Sequence, residues 1–135
     1  MRRRSLIAGA LALPISGAAN ADSFPNGPFR IIVPFGPGSA TDQSARNVAE
    51  GLNRAFGVPA VVENKPGANG AIAADVAAKA KPDGQTIFVC SNTAAASNVA
   101  LMKSQPYDPL RDFEPVTIIG RAPVFMIVNP KVEAR

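Results

Sequence analysis

The chain contains no histidine and a single cysteine, Cys90. Zinc sites built from His and Cys, Ser-His-Asp triads and Cys-His pairs are therefore excluded within it. A lone cysteine also rules out an intramolecular disulfide. Cys90 follows an apolar run and reads as a small buried residue at a strand end. Long hydrophobic runs are missing too. The apolar stretch Ser5 to Ile15 is too short, and too interrupted by Pro14 and Gly17 just beyond, to span a bilayer. No cysteine follows it that could carry a lipid anchor, so a membrane-embedded or lipidated protein is not expected.

Positive charge is scarce once its location is considered. The chain has 14 basic and 10 acidic residues, a net charge of +4, and Arg2, Arg3 and Arg4 stand at its very start. These arginines, the apolar stretch after them and the small residues of Ala19-Asn20-Ala21 have the layout of a secretory leader. Residues 1–21 are expected to be removed by cleavage after Ala21, leaving 22–135 in the periplasm. Arg3-Arg4-Ser5-Leu6-Ile7 admits the twin-arginine route as well as the general one. Residues 22–135 retain eleven basic and ten acidic side chains, scattered singly. That is a solvated surface, and it offers no basic patch for nucleic acid.

What is present is a chain of one-domain size, with 47% hydrophobic residues and 13 prolines. It should be globular and rich in turns. Phe29 to Val33 reads as a strand stopped by Pro34, and Phe35 to Ala40 as a loop. A helix is expected from about Thr41, with Ala45, Val48, Ala49, Leu52, Ala55 and Phe56 on one face. Ser39 or Thr41 would cap it, Asp42 suits its positive end, and Gly57 would stop it. The alternation then repeats: strand Ala60 to Glu63, loop Asn64 to Gly70, helix Ala71 to Ala80, strand Thr86 to Cys90, helix Ala94 to Met102. Two more apolar runs follow, Val116 to Gly120 and Val124 to Val128. Crossover helices between unbroken Ile/Val strands imply a parallel sheet covered on both faces.

Such sheets bind ligands beyond the carboxyl ends of their strands. Here that means Phe35 to Asp42, Asn64 to Gly70 and Ser91 to Thr93. In the first loop, Gly36, Gly38, Ser39 and Ala40 would let backbone N–H groups approach an anion, aided by the helix start at Thr41 and Asp42. A carboxylate or a phosphate fits equally, and the glycines could equally serve only a tight turn. Ser91, Asn92, Thr93, Ser97 and Asn98 form a second polar cluster that would bind ligand or cap a helix. Asp108, Asp112 and Glu114 read as loop caps and surface charges. A dinucleotide fingerprint is incomplete, because Thr41 stands where a third glycine belongs, although Glu63 lies where a ribose-binding acid would sit. A Rossmann-like enzyme domain therefore stays as an alternative.

The segments Arg30-Ile31-Ile32-Val33-Pro34-Phe35, Thr41-Asp42, Val62-Glu63-Asn64-Lys65-Pro66-Gly67-Ala68 and Pro82-Asp83-Gly84 occur in fixed order. Pro106-Tyr107-Asp108-Pro109-Leu110-Arg111-Asp112-Phe113 and Val128-Asn129-Pro130 follow them. Together they resemble the Bug family, the substrate-binding proteins of tripartite tricarboxylate transporters. The resemblance implies an α/β fold of the periplasmic-binding-protein type, a type II flytrap with a parallel-core sheet and flanking helices.

It also implies a receptor without catalytic residues, metal or cofactor, whose partners are a small carboxylate and a membrane permease. A receptor signalling to a sensor kinase is the alternative within the same fold. In the family, backbone amides, small polar residues and ordered waters of the first and third loops hold the carboxylate. By position these are Phe35, Gly38, Ser39, Ala40, Thr41 and Asp42, then Ser91, Asn92, Thr93, Ser97 and Asn98, with Asn64 to Gly70 on the cleft rim. Ser39 and Ala40 depart from the family's consecutive glycines, and Asn98-Val99 from its Asn-Pro. Family members continue into a second lobe and return to complete the first. The expectation is thus a first lobe only, with the second missing, a truncated form that binds carboxylate weakly.

Overall fold

The computed structural model describes residues 24–123 and 125–132; the expected leader and its cleavage point lie outside the described residues. The sheet has three strands, β1 (Phe29–Val33), β2 (Ala60–Asn64) and β3 (Thr86–Phe88), in the order β2-β1-β3. All pairings are parallel, with Ile31 opposite both Val62 and Ile87. Ile31, Ile32 and Val33 are fully buried. A β-branched run without polar alternation needs cover on both faces, and helices packed on either side of the sheet supply it.

Helix α1 (Ala40–Phe56) starts where Ser39 Oγ accepts the Asp42 N–H at 3.2 Å. It stops at Gly57, whose left-handed φ of 68° lets its N–H reach Asn53 O at 2.9 Å. Ala45 and Ala49 are buried, and with Val48 and Leu52 they pack on Ile31, Val33 and Val89. The helical face expected from the sequence holds as far as Leu52. Ala55 is exposed, and Phe56 turns its ring onto Phe24 and Phe29 instead.

Helix α2 (Ala71–Ala78) covers the opposite face. Ile87 packs with the α1 cluster while its neighbour Phe88 meets Ala71, Ala74 and Tyr107, as a pleated strand requires. The helix ends two residues sooner than its alanine run, because Lys81 precedes Pro82 and is barred from helical geometry. The third strand is also shorter than expected. Its ladder closes with Val89 N–H on Ile32 O at 3.0 Å, and β1 has only Val33 left before Pro34. Cys90 lies beyond the strand and is half-buried rather than buried. The third helix is a wide π-type turn over Thr93–Ser97 continued by α3 (Asn98–Leu101).

From Val116 onward no described residue joins the sheet. Val116 is 88% exposed and Met126 93%. These apolar runs have the composition of strands, yet their described residues join no ladder.

Candidate functional site

Because all three strands point the same way, the loops after them gather at one end. Residue Gly70 marks where they meet. A Cβ there would lie 3.1 Å from both Pro34 Cβ and Ala94 Cβ, and its φ of 86° is one a side chain rarely adopts. Pro34 leads out of β1, Gly70 ends the loop after β2, and Ala94 follows β3. Only a glycine lets the three approach so closely.

Asp42 organises the first of these loops. It is 1% exposed, yet four donors satisfy its carboxylate. Gly38 N–H and Arg46 Nε reach Oδ2 at 2.9 Å each, while Asn64 Nδ2 and Arg46 Nη2 reach Oδ1 at 2.8 and 3.2 Å. The Arg46 guanidinium first, then the Gly38 amide and Asn64, hold its pKa down at about 2. Asn64 Nδ2 also donates to Phe35 O at 2.9 Å, which ties the loop after β1 to the end of β2.

The amides of Ala40 and Thr41, first in α1, have no acceptor within the helix and sit at its positive end. Ser39 Oγ accepts from Asp42 N–H, so its own hydrogen remains free to donate. On the other side, Ser91 Oγ is buried with no partner among the described residues. Ala40, Thr41, Ser44, Ser91 and Asn92 line one end of a cavity of about 1870 Å³. Its remainder is an apolar groove running along β3 towards Val116 and Ile118. Cys90 lines it too, and burial pushes its thiol up, so it stays protonated and un-nucleophilic.

The eleven residues expected to bind ligand therefore divide. Ala40, Thr41, Ser91 and Asn92 border this cavity, with Ser39 capping the helix beneath them. Phe35, Gly38, Asp42, Thr93, Ser97 and Asn98 do not line it. Gly38 gives its amide to Asp42, Phe35 its carbonyl to Asn64, and Asn98 is wholly buried beside Tyr107. Asn64 and Gly70 bound the loop expected on the rim, and Arg46 is the participant that the sequence reading did not include. The Asp42–Arg46 spacing of four on a helix was the one local signal available.

The enzyme alternative loses its acid. Glu63 is held by Arg30 on the neighbouring strand at 2.6 and 2.8 Å, which lowers its pKa and leaves no free carboxylate for a ribose. Asp108 and Asp112 cap their own loop, accepting from Leu110 and Asp108 amides at 2.9 and 2.7 Å. Among the described residues no group of three or more His, Cys, Asp or Glu could hold a metal ion. No described helix is long and apolar enough to cross a membrane.

The Asp42 network makes the fold acid-sensitive in a defined window. Its pKa falls from 3.8 to about 2 on folding, so between those values the unfolded chain binds more protons than the native one. Its contribution is complete above pH 4 and is lost as the pH falls through about 2. In thermal melts from pH 7 to 2, the melting temperature of the parent should fall more steeply below pH 4 than that of Asp42→Asn. Parallel curves for the two proteins would contradict this assignment.

Known proteins share the fold described above. The model of the "Tripartite tricarboxylate transporter family receptor" matches residues 44–135. Protein BugT of Bordetella pertussis is 41% identical over 120 residues, covering 88% of this chain and 37% of that protein. A solved periplasmic transporter is 48% identical with a TM-score of 0.67, covering 70% of this chain and 32% of its own. MatC from Rhodopseudomonas palustris, solved with bound malate, is 38% identical with a TM-score of 0.65, covering 69% of this chain and 32% of its own. This chain thus spans well under half the length of the relatives it matches, and its sheet has the fold of periplasmic binding proteins. It belongs to the receptor family of the tripartite tricarboxylate transporters, the family that includes the Bug proteins.

Proposed function

We propose that this chain carries one side of a carboxylate-binding cleft, in a periplasmic receptor that delivers its ligand to a tripartite tricarboxylate-type permease. The observation that carries the reading is the convergence of two sets of unspent donors. The Ala40 and Thr41 amides lie at the positive end of α1, and the unpartnered Ser91 hydroxyl borders the same cavity. A carboxylate takes charge-assisted hydrogen bonds from such donors with no nucleophile or base involved. The Thr41 and Ser39 hydroxyls and Asn92 would complete the set. In this reading Asp42 does not touch the ligand. Its negative charge is neutralised by Arg46 and its lone pairs are occupied, so it shapes the loop without repelling an anion.

MatC supports a dicarboxylate such as malate as the class of ligand. Residues 1–21 act in this reading as the export leader. Mass spectrometry of periplasmic protein should then give a chain starting at Asp22; cytoplasmic protein starting at Met1 would contradict export.

The relatives are more than twice as long, and in this reading their further polypeptide closes the other side of the cleft. Without it, a captured carboxylate keeps much of its hydration. Each hydrogen bond then exchanges with water for about 1 kcal/mol net, against the cost of immobilising the ligand. Calorimetry of residues 22–135 with malate and other small carboxylates should therefore show millimolar or weaker binding. Micromolar binding by a monomer would show that one side of the cleft suffices.

A further inference from the structure

Tyr107 and Asn98 form a buried clamp behind the loops. Tyr107 is 4% exposed and Asn98 wholly buried. The Tyr107 hydroxyl donates to Ala94 O at 2.6 Å and accepts from Asn98 Nδ2 at 3.1 Å. The same Asn98 amide donates to Asn69 O, also at 3.1 Å. One side-chain pair thereby joins the loop after β2 to the helical turn after β3.

The rest of the surroundings give the clamp its purpose. Ala68 and Asn69 hold left-handed φ values of 47° and 53°, which side chains other than glycine adopt only when held. The Asn98 bond to Asn69 O restrains that segment just before Gly70 fits between Pro34 and Ala94. On the other side, a hydroxyl bonded to a mid-helix carbonyl competes with the helical ladder, and Ala94 lies in the wide turn Thr93–Ser97. The Tyr107 ring is itself anchored to the sheet. It packs edge-on against Phe113 at 5.9 Å, and Phe113 stacks on Phe88 of β3 at 5.5 Å.

We infer that Tyr107 and Asn98 are positioning residues of the carboxylate site: they set the spacing of the second and third loops without touching the ligand. This rests on the carboxylate reading above. It gives Asn98 a role behind the site and assigns one to Tyr107, which lies outside the cavity lining.

Two variants separate positioning from stability. Tyr107→Phe keeps the ring against Ala71, Ala74 and Phe113 and removes only the hydroxyl. Phe113→Leu loosens the same aromatic cluster and leaves the hydroxyl bonds in place. Nitrogen-15 NMR of the whole chain titrated with malate reads both affinity and local structure. Tyr107→Phe should shift the amides of Asn69 and Ala94 to Asn98 and weaken malate binding by about fivefold, the worth of one hydrogen bond. Phe113→Leu should leave affinity within about twofold even at an equal or larger loss of melting temperature. Equal weakening by the two variants, or none by Tyr107→Phe while the parent binds, would overturn the positioning role. No malate-induced shift in the parent would instead sink the carboxylate reading and this role with it, while the Asn69 and Ala94 amide shifts would still report whether the clamp holds the loops.

Discussion

The arrangement of the loops at the carboxyl end of the sheet depends on one buried carboxylate, Asp42. Asp42 lies in the first turn of α1, where the helix dipole favours a negative charge. It draws in the Gly38 amide from its own loop, Arg46 from the next turn and Asn64 from the end of β2. Burying a charge is costly unless it is fully hydrogen-bonded, and here each oxygen has two donors. The consequence is geometric. With the Gly38 amide bonded to Asp42 and Asn64 holding the Phe35 carbonyl, the loop is fixed while Ala40 at the start of α1 stays exposed. An acidic residue thus organises the loop while both of its carboxylate oxygens are occupied from within the fold.

Much of this fold is legible in the sequence because its signals are local. Unbroken Ile/Val runs, helical spacing of alanines, the Ser39 cap and the Gly57 stop each act over a few residues, and each appears where expected. The site is legible only in outline. Loop positions follow from the strand-helix alternation, but which side chains face a ligand depends on partners far along the chain. Asp42 meets Asn64 across 22 residues, and Asn98 meets Asn69 across 29. Both look like exposed polar ligands in the sequence, and both are buried struts. Tyr107 could not be singled out either, since nothing near it in sequence signals the Ala94 carbonyl it holds.

The third strand ends early for a tertiary reason of the same kind. The Thr86 to Cys90 run has strand composition throughout, yet pairing lasts only as long as β1 offers a partner. Val116 to Gly120 carries the same composition and pairs with nothing among the described residues. Propensity supplies a candidate strand, and tertiary context decides whether a ladder forms. The β3 strand and the Val116 to Gly120 run line the same largely apolar cavity.

The central claim is that an anion binds between the start of α1 and the turn after β3, and that the apolar groove serves another purpose. Mapping amide shifts of the parent chain during a malate titration tests this directly. The account predicts that the largest saturable shifts fall on Ser39, Ala40 and Thr41 and on Ser91 to Thr93, with Val116 to Ile119 unmoved. Shifts centred on Val116 to Ile119, with the α1 amides unchanged, would contradict it.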